Sequence, residues 1–297
     1  MKNNKEINQR ITDSIIEQLE DAIKNGGVAP WQKPWKSSYN YVSERPYRGI
    51  NILMLSRRQD VEFLTFLQIQ ELAKKDPTIK LKKGSKGETV IFWNFRKVKS
   101  KDEDDKEVEI SLPFMKTYTV FRRQDVENLP SKLVEKEESI EEADLFIDKM
   151  KEVCDLNITF SDSAYFAPGL DKVVSPLKEQ YNNISEYYAT IFHELTHWTG
   201  GAKRLNRITT TSSFSPEYAE EELVAEIGAS MLLGQFGITQ ERVADNQIAY
   251  LKGWMKRCKD DPNLIVKAAQ KAQAALDLMF ALVNKTSYDE LEDILVA

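Results

Sequence analysis

Ile191-Phe192-His193-Glu194-Leu195-Thr196-His197-Trp198-Thr199-Gly200 is the stretch on which the reading of this 297-residue chain turns. On a helix, residues four apart lie on one face, so the imidazoles of His193 and His197 can reach one ion. Glu194 sits beside that face and can hold a water that the ion polarises. Apolar Ile191, Phe192 and Leu195 anchor the helix, Trp198 packs beside the site, and Gly200 releases the chain. This pattern arises by chance in roughly one chain of this size in a hundred. The chain has only 2 histidines, and both sit in the motif. A shared metal explains that economy better than unrelated core or surface roles.

With both histidines used, a third protein ligand must be a carboxylate or another oxygen donor. Zinc accepts two histidines and a glutamate and keeps a fourth position for water; other transition metals fit the same donors. The run Tyr218-Ala219-Glu220-Glu221-Glu222-Leu223-Val224-Ala225-Glu226-Ile227-Gly228-Ala229 supplies acids on a helix whose Leu223, Ile227 and Met231 indicate a packed face. Burying uncompensated carboxylates there is costly, so a metal or histidine partner is expected. Glu222 is the expected ligand, and Glu226, one turn on, is expected to accept the other ring proton of a liganding histidine. Exchanged roles, or Glu221 in place of Glu222, stay open; otherwise Glu220 and Glu221 read as a solvated acidic face. Gly228 and Ala229 would allow close approach to the histidine helix. If the site is catalytic, Glu194 is the general base of a metal-assisted hydrolysis, and Tyr165, Tyr218 and Tyr250 are candidates for stabilising the oxyanion. A purely structural ion is the alternative.

Outward from this region, helical periodicity dominates: 185–198, 216–236, 240–259 and 263–283 are expected helices, divided by Gly200, Gly237 and Asp261-Pro262. Before them, short apolar elements near 157–160, 164–166 and 171–175 suggest a small sheet. Residues 7–24 form an amphipathic helix ended by Gly26 and Gly27, a second helix is expected around 66–75, and Thr89–Phe95 and Met115–Phe121 read as strands. A solvated charged turn or flexible insert separates them at 101–109. Pro130 and the acidic run at 135–144 mark the expected boundary, giving domains 1–130 and 131–297 of an α+β protein. The two cysteines, Cys154 and Cys258, form no CxxC pair and read as free thiols of a reducing compartment, so the cytoplasm is the expected location. The N-terminus does not read as a signal peptide, and no stretch approaches the roughly 18 apolar residues of a membrane span.

The net charge of -6 is unevenly divided. Residues 1–100 hold 19 Lys or Arg against 11 Asp or Glu, a balance of +8, and the remainder holds 22 basic against 36 acidic residues. Aromatic and basic residues interleave in the first part: Trp31, Lys33, Trp35, Tyr47 and Arg48, then Lys82, Lys83 and Lys86, then Trp93. A basic groove with aromatic platforms is how single-stranded nucleic acid is held. The bland alternative places those rings in a small core.

The order of segments resembles the ArdC-type antirestriction family. It is carried in the first half by the amphipathic helix followed by APWQKPW, PYRGIN, LTFLQ, KKGSKGETVIFW and YTVFRRQDVENLP. In the second half it is carried by SAYFAPGLDKVVSP, YYATIFHELTHWTG, GAKRLNR and YAEEELVAEIGASMLL. The resemblance implies an N-terminal α/β single-stranded-DNA-binding domain and a mainly helical, zincin-like metallopeptidase domain with a small sheet. It implies a mobile-element protein that protects incoming DNA, with His193, His197 and a glutamate of EELVAE as zinc ligands and Glu194 in the base position. Single-stranded DNA is the expected partner, with a host restriction enzyme or another protein as a further target and no membrane. Two other classes stay open: an active zinc metalloprotease using its first domain for targeting, and a non-enzymatic DNA-binding or inhibitory protein with a structural metal.

Overall fold

A computed structural model describes residues 4–32, 38–56, 60–101, 107–133, 139–154, 156–210, 215–239 and 247–284. Ile7, Ile11, Ile15 and Leu19 form one buried stripe of the first helix, α1 (Asn4–Asn25). Such a stripe needs an apolar partner. A 3-10 turn at Pro30–Gln32 follows, then β1 (Tyr39–Asn40) and α2 (Ile50–Ser56). The apolar run Ile52–Leu55 thus lies within a helix. β2 (Glu62–Thr65) runs into α3 (Phe66–Lys75), whose start is fixed by a reciprocal cap between Thr65 and Gln68. β3 (Lys80–Leu81) leads through a basic turn at Gly84, where φ is +85°, into the paired β4 (Glu88–Lys101) and β5 (Glu107–Arg122). β6 (Val126–Glu127) closes a second small sheet against β3.

The strands β1, β2, β5 and β4 lie side by side in that order, with β4 at one edge. That edge is capped at Ile91: the Asn51 side chain donates to its carbonyl and accepts from its N–H, both at 2.7 Å. At Ile91, therefore, the edge offers no free backbone group to another strand. Both long strands outrun their apolar segments. The register sets Lys99 opposite Glu109 and Lys101 opposite Glu107. The part of the expected charged turn at 102–106 lies outside the described residues.

The second half opens with α4 (Ile140–Cys154) and the strands β7 (Asn157–Phe160), β8 (Tyr165–Ala167) and β9 (Lys172–Ser175). They form the expected small sheet, in the order β7-β9-β8. Four helices follow: α5 (Ile184–Thr199), α6 (Pro216–Gln235), α7 (Gln247–Asp260) and α8 (Leu264–Val283). All four expected helices are present; residues 240–246, which open the expected third one, lie outside the described residues. Asn183 caps α5, while Ser215 and Pro216 start α6.

The largest apolar core does not stop at residue 130. Ile7, Ile15, Leu19, Trp31, Leu53, Ile91 and Met115 belong to the same buried cluster as Phe192, Leu195, Ile227 and Met279. The helix α1 packs on α7 and α8, so its stripe is covered by the C-terminal helices. The rest of the first half has two small cores of its own, one around Leu64 and Ile69 and one around Tyr47, Phe63, Val90 and Val120. A cut at 130 divides the chain but not the core.

The helices α5 and α6 meet closely at Gly228. A Cβ there would lie 2.6 Å from both Oγ1 and Cγ2 of Thr196, and Thr196 is fixed by its hydrogen bond to the Phe192 carbonyl. The expectation of close approach at Gly228 is met. Gly228→Ala is expected to destabilise the protein by about 1–3 kcal/mol through overpacking, read as a fall of a few degrees in Tm. Adding Thr196→Ala should recover part of the loss; an unshifted Tm in the single variant would show that the contact does not constrain the helices.

Candidate metal centre

On α5, His193 and His197 present their rings on consecutive turns, with centroids 4.7 Å apart and planes at 80°. Their Nε2 atoms are 3.1 Å apart. From α6, Glu222 brings Oε2 to 3.5 Å from His193 Nε2 and Oε1 to 3.4 Å from His197 Nε2. Donors bound tetrahedrally at zinc distances would stand about 3.3 Å from one another. The three separations match that spacing, so the donor set fits a divalent ion. Among the described residues, this is the group of His, Cys, Asp and Glu close enough to hold one.

The other ring nitrogen of His197 faces Glu221, with Nδ1 3.3 Å from Oε1. Arg207, in the turn after α5, grips that carboxylate through both Nε and Nη2, at 3.2 and 2.9 Å. It also donates to Thr199 Oγ1 and the Thr196 carbonyl. Burial by itself would push Glu221 up, but the hydrogen bonds from His197 and Arg207 outweigh it and hold the carboxyl below its usual range. Glu222 follows the same logic: burial raises it, and the two imidazoles pull it well down. His197 is buried, which disfavours its charge, yet Glu221 and Glu222 together lift it to about 9.

Glu194, the next residue on α5, is buried too, and its carboxyl is raised chiefly by desolvation, against the pull of both histidines. It accepts a hydrogen bond from the backbone N–H of Phe166 on β8, which ties the small sheet to the site. Tyr218 hydrogen-bonds to Glu222, and burial followed by that bond pushes its phenol up to about 12. Of the three tyrosines read from the sequence, it is the one that reaches the cluster. Tyr165 is exposed on β8.

Two expectations need correcting. Glu226 does not orient a histidine; Glu221 does. Glu226 instead accepts from Trp31 Nε1 at 3.0 Å and from the Tyr250 hydroxyl. Glu221 lies about 100° around α6 from Glu222, where it meets the far side of the His197 ring, whereas Glu226 lies one turn along and meets the N-terminal segment. Tyr250 is likewise committed to Glu226 and Trp31, and burial first of all raises its phenol strongly.

The expected nucleic-acid residues divide. Trp31 has no exposed surface and packs edge-on against Trp254, so it offers no face to a base; its indole N–H is bound in the core. Tyr47 is buried against Phe63. Arg48 forms an ion pair with Asp277 of α8. Lys82, Lys83 and Lys86 do come together, lining an open cleft with Gly84, Ser85, Arg122 and Asp125. Lys33 and Trp35 lie outside the described residues, as does the side chain of Trp93, whose backbone is in β4. Arg207 and Arg122 were not foreseen. Arg207 closes the run GAKRLNR at 201–207, which has no periodicity to single it out from Lys203 or Arg204, and only the need of a buried Glu221 for a partner hinted at a role for it.

Removing the Glu221 charge with Glu221→Gln should lower zinc affinity about 10- to 100-fold, measured by competition with a chromophoric chelator. In the metal-free chain, His197 with its raised pKa is protonated at neutral pH, and an ion must displace that proton. Zinc affinity is therefore expected to rise with pH up to about 9, with about one proton released per ion at pH 7. Titration calorimetry in buffers of different ionisation enthalpy reads that proton, and none released would contradict the assignment. By the same linkage, the stability that His197 lends the metal-free fold is complete below about pH 6.5 and lost as pH rises through about 9.

Two family descriptions match: the N-terminal domain of anti-restriction factor ArdC over residues 5–121, and a zincin-like metallopeptidase over residues 141–271. The crystal structure of metal-free antirestriction ArdC from plasmid R388 is 33% identical, with a TM-score of 0.70 over 94% of this chain and 98% of that one. Its Mn(II)-bound form is 32% identical, with a TM-score of 0.72 over 94% and 99%. A DNA primase TraC of Escherichia coli is 31% identical over 96% of this chain, which spans only 20% of that protein's length. With both halves matched in order, and with a solved relative covered almost end to end, the chain belongs to the ArdC family of antirestriction proteins.

Proposed function

We propose that this protein is an antirestriction factor of a mobile element, acting in the cytoplasm, which holds single-stranded DNA on its first half and a zinc ion on His193, His197 and Glu222. The observation that carries the DNA reading is the cleft formed by Lys82, Lys83, Lys86 and Arg122 beside the turn at Gly84. Three lysines around one concavity, beside an Arg122 that is paired with Asp125, are suited to a run of phosphates. A host restriction enzyme or another protein is the further partner of this reading.

A second reading, peptidase activity, is favoured by one observation: Glu194 is a buried carboxylate whose pKa is raised, adjoining the three donors. A divalent ion held by those donors supplies Lewis acidity toward a bound water. Glu194 is positioned to take a proton and hand it to a leaving amine, its carboxyl oriented by the Phe166 N–H. Glu221 and Arg207 keep His197 in one tautomer and orientation. Tyr218 offers a phenol O–H beside Glu222.

Glu194→Gln separates the readings. Protection of DNA from restriction that is lost while zinc content is kept assigns the function to chemistry; unchanged protection assigns it to binding, with the ion in a structural role. Replacing Lys82, Lys83 and Lys86 together with Glu should weaken oligonucleotide binding and flatten the slope of log affinity against log salt by about two. An unaltered slope removes these lysines from the interface.

A further inference from the structure

The long hairpin of β4 and β5 carries two large rings that the protein's cores do not use. Phe92 is 47% exposed and Tyr118 40% exposed, and they meet edge to face with centroids 5.4 Å apart and planes at 83°. The register sets Phe92 directly opposite Lys116, and Tyr118, two residues on, lies on the same face of the ribbon. Nearer the base of the hairpin, Val90 and Val120 of that face are buried by Tyr47, Leu55 and Phe63. The aromatic pair begins where this cover ends. Arg122, on the same face by alternation, is about 20 Å from Lys116 along β5 and lines the basic cleft. Lys116 is exposed beside the rings, on the same face.

We propose that Phe92 and Tyr118 form a base-stacking platform for single-stranded nucleic acid, with Lys116 against its phosphate backbone. The proposal rests on the single-stranded-DNA reading above and adds where the bases are held. Rings exposed beside ammonium groups match the two parts of such a ligand, the π-faces of its bases and its phosphates. A second copy of the chain fits the patch less well, because Lys116 beside the rings would be brought against the like charge of the other copy. The strand would then run from the cleft at Lys82–Lys86 along the hairpin, its bases on the rings and its phosphates on the cleft lysines and Lys116.

The test is fluorescence anisotropy of a labelled oligothymidylate of about twelve nucleotides, titrated with the full chain at several salt concentrations. Phe92→Leu with Tyr118→Leu keeps apolar bulk and removes the π-faces. It is expected to weaken binding by about ten- to a hundredfold while leaving the salt slope unchanged, since no phosphate contact is lost. Phe92→Tyr with Tyr118→Phe should bind as the parent does. In a separate variant, Phe92→Trp, oligothymidylate should quench the added indole, whereas the parent protein serves as the control. Parent-like affinity in the double leucine variant, or no added quenching in Phe92→Trp, overturns the platform. If at the same time reversal of Lys82, Lys83 and Lys86 still weakens binding, the broader DNA reading survives. No binding by the parent removes both. A leucine variant that alters the sedimentation coefficient but not the affinity identifies the patch as a self-association contact and overturns the proposal as well.

Discussion

Two imidazoles, a guanidinium and three carboxylates meet where α5 approaches α6, and the fold must satisfy all of them together. Each charge taken from water there costs several kcal/mol if left alone, so position and pairing are inseparable. Glu221 is neutralised by Arg207 and touches His197; Glu222 faces both imidazoles; Glu194 is left with a raised carboxyl. The close approach at Gly228 sets the helices at the spacing this requires. With no ion bound, the proton on His197 is a partial substitute for a cation, because it compensates the same carboxylates that the ion would. Metal, proton and helix packing are therefore linked terms of one balance.

The part of this balance legible in the sequence was the part with a period. Residues four apart on a helix announce a shared face, so His193 and His197 were readable, and the apolar rhythm of residues 185–283 gave the helices around them. Glu222 followed from elimination and from the packed face of its helix. What failed was angular detail. Glu221 and Glu226 flank Glu222 on the same helix, and deciding which meets the His197 ring depends on how α6 is rotated against α5, which a single chain of letters does not record. Arg207 could not be singled out because turns have no period. The strand lengths of β4 and β5 were underestimated because backbone register, such as Lys99 opposite Glu109, is a property of two strands at once.

Trp31 shows the same limit from another side. A tryptophan on a proline-rich loop near basic residues suggests a base platform, yet its indole N–H needs an acceptor, and Glu226 on a packed helix needs donors. Each answers the other's requirement in the core, together with Tyr250. The consequence is architectural. The segment after α1 is bonded to the helix that presents Glu222, and Arg48 and α1 reach α8 and α7 in the same way. The first half is thus attached to the second through its N-terminal elements, with Ile91 of β4 and Met115 of β5 joining the same core.

A net charge of -6 looks unfavourable for contact with a polyanion, but the sum hides where the charges are used. Many acids of the second half are already engaged: Asp171 with Arg204, Asp144 with Lys178, Glu220 with Lys271, and Glu221 with Arg207. Asp125, which lines the basic cleft, is likewise paired with Arg122. Paired charges act at a distance mainly as dipoles, and at physiological salt the field of an exposed charge is screened beyond about 8 Å. An approaching strand at the Lys82–Lys86 turn therefore responds to the local lysines rather than to the distant acidic surplus. The basic excess of the first hundred residues, and not the total for the chain, is the quantity that governs such an encounter.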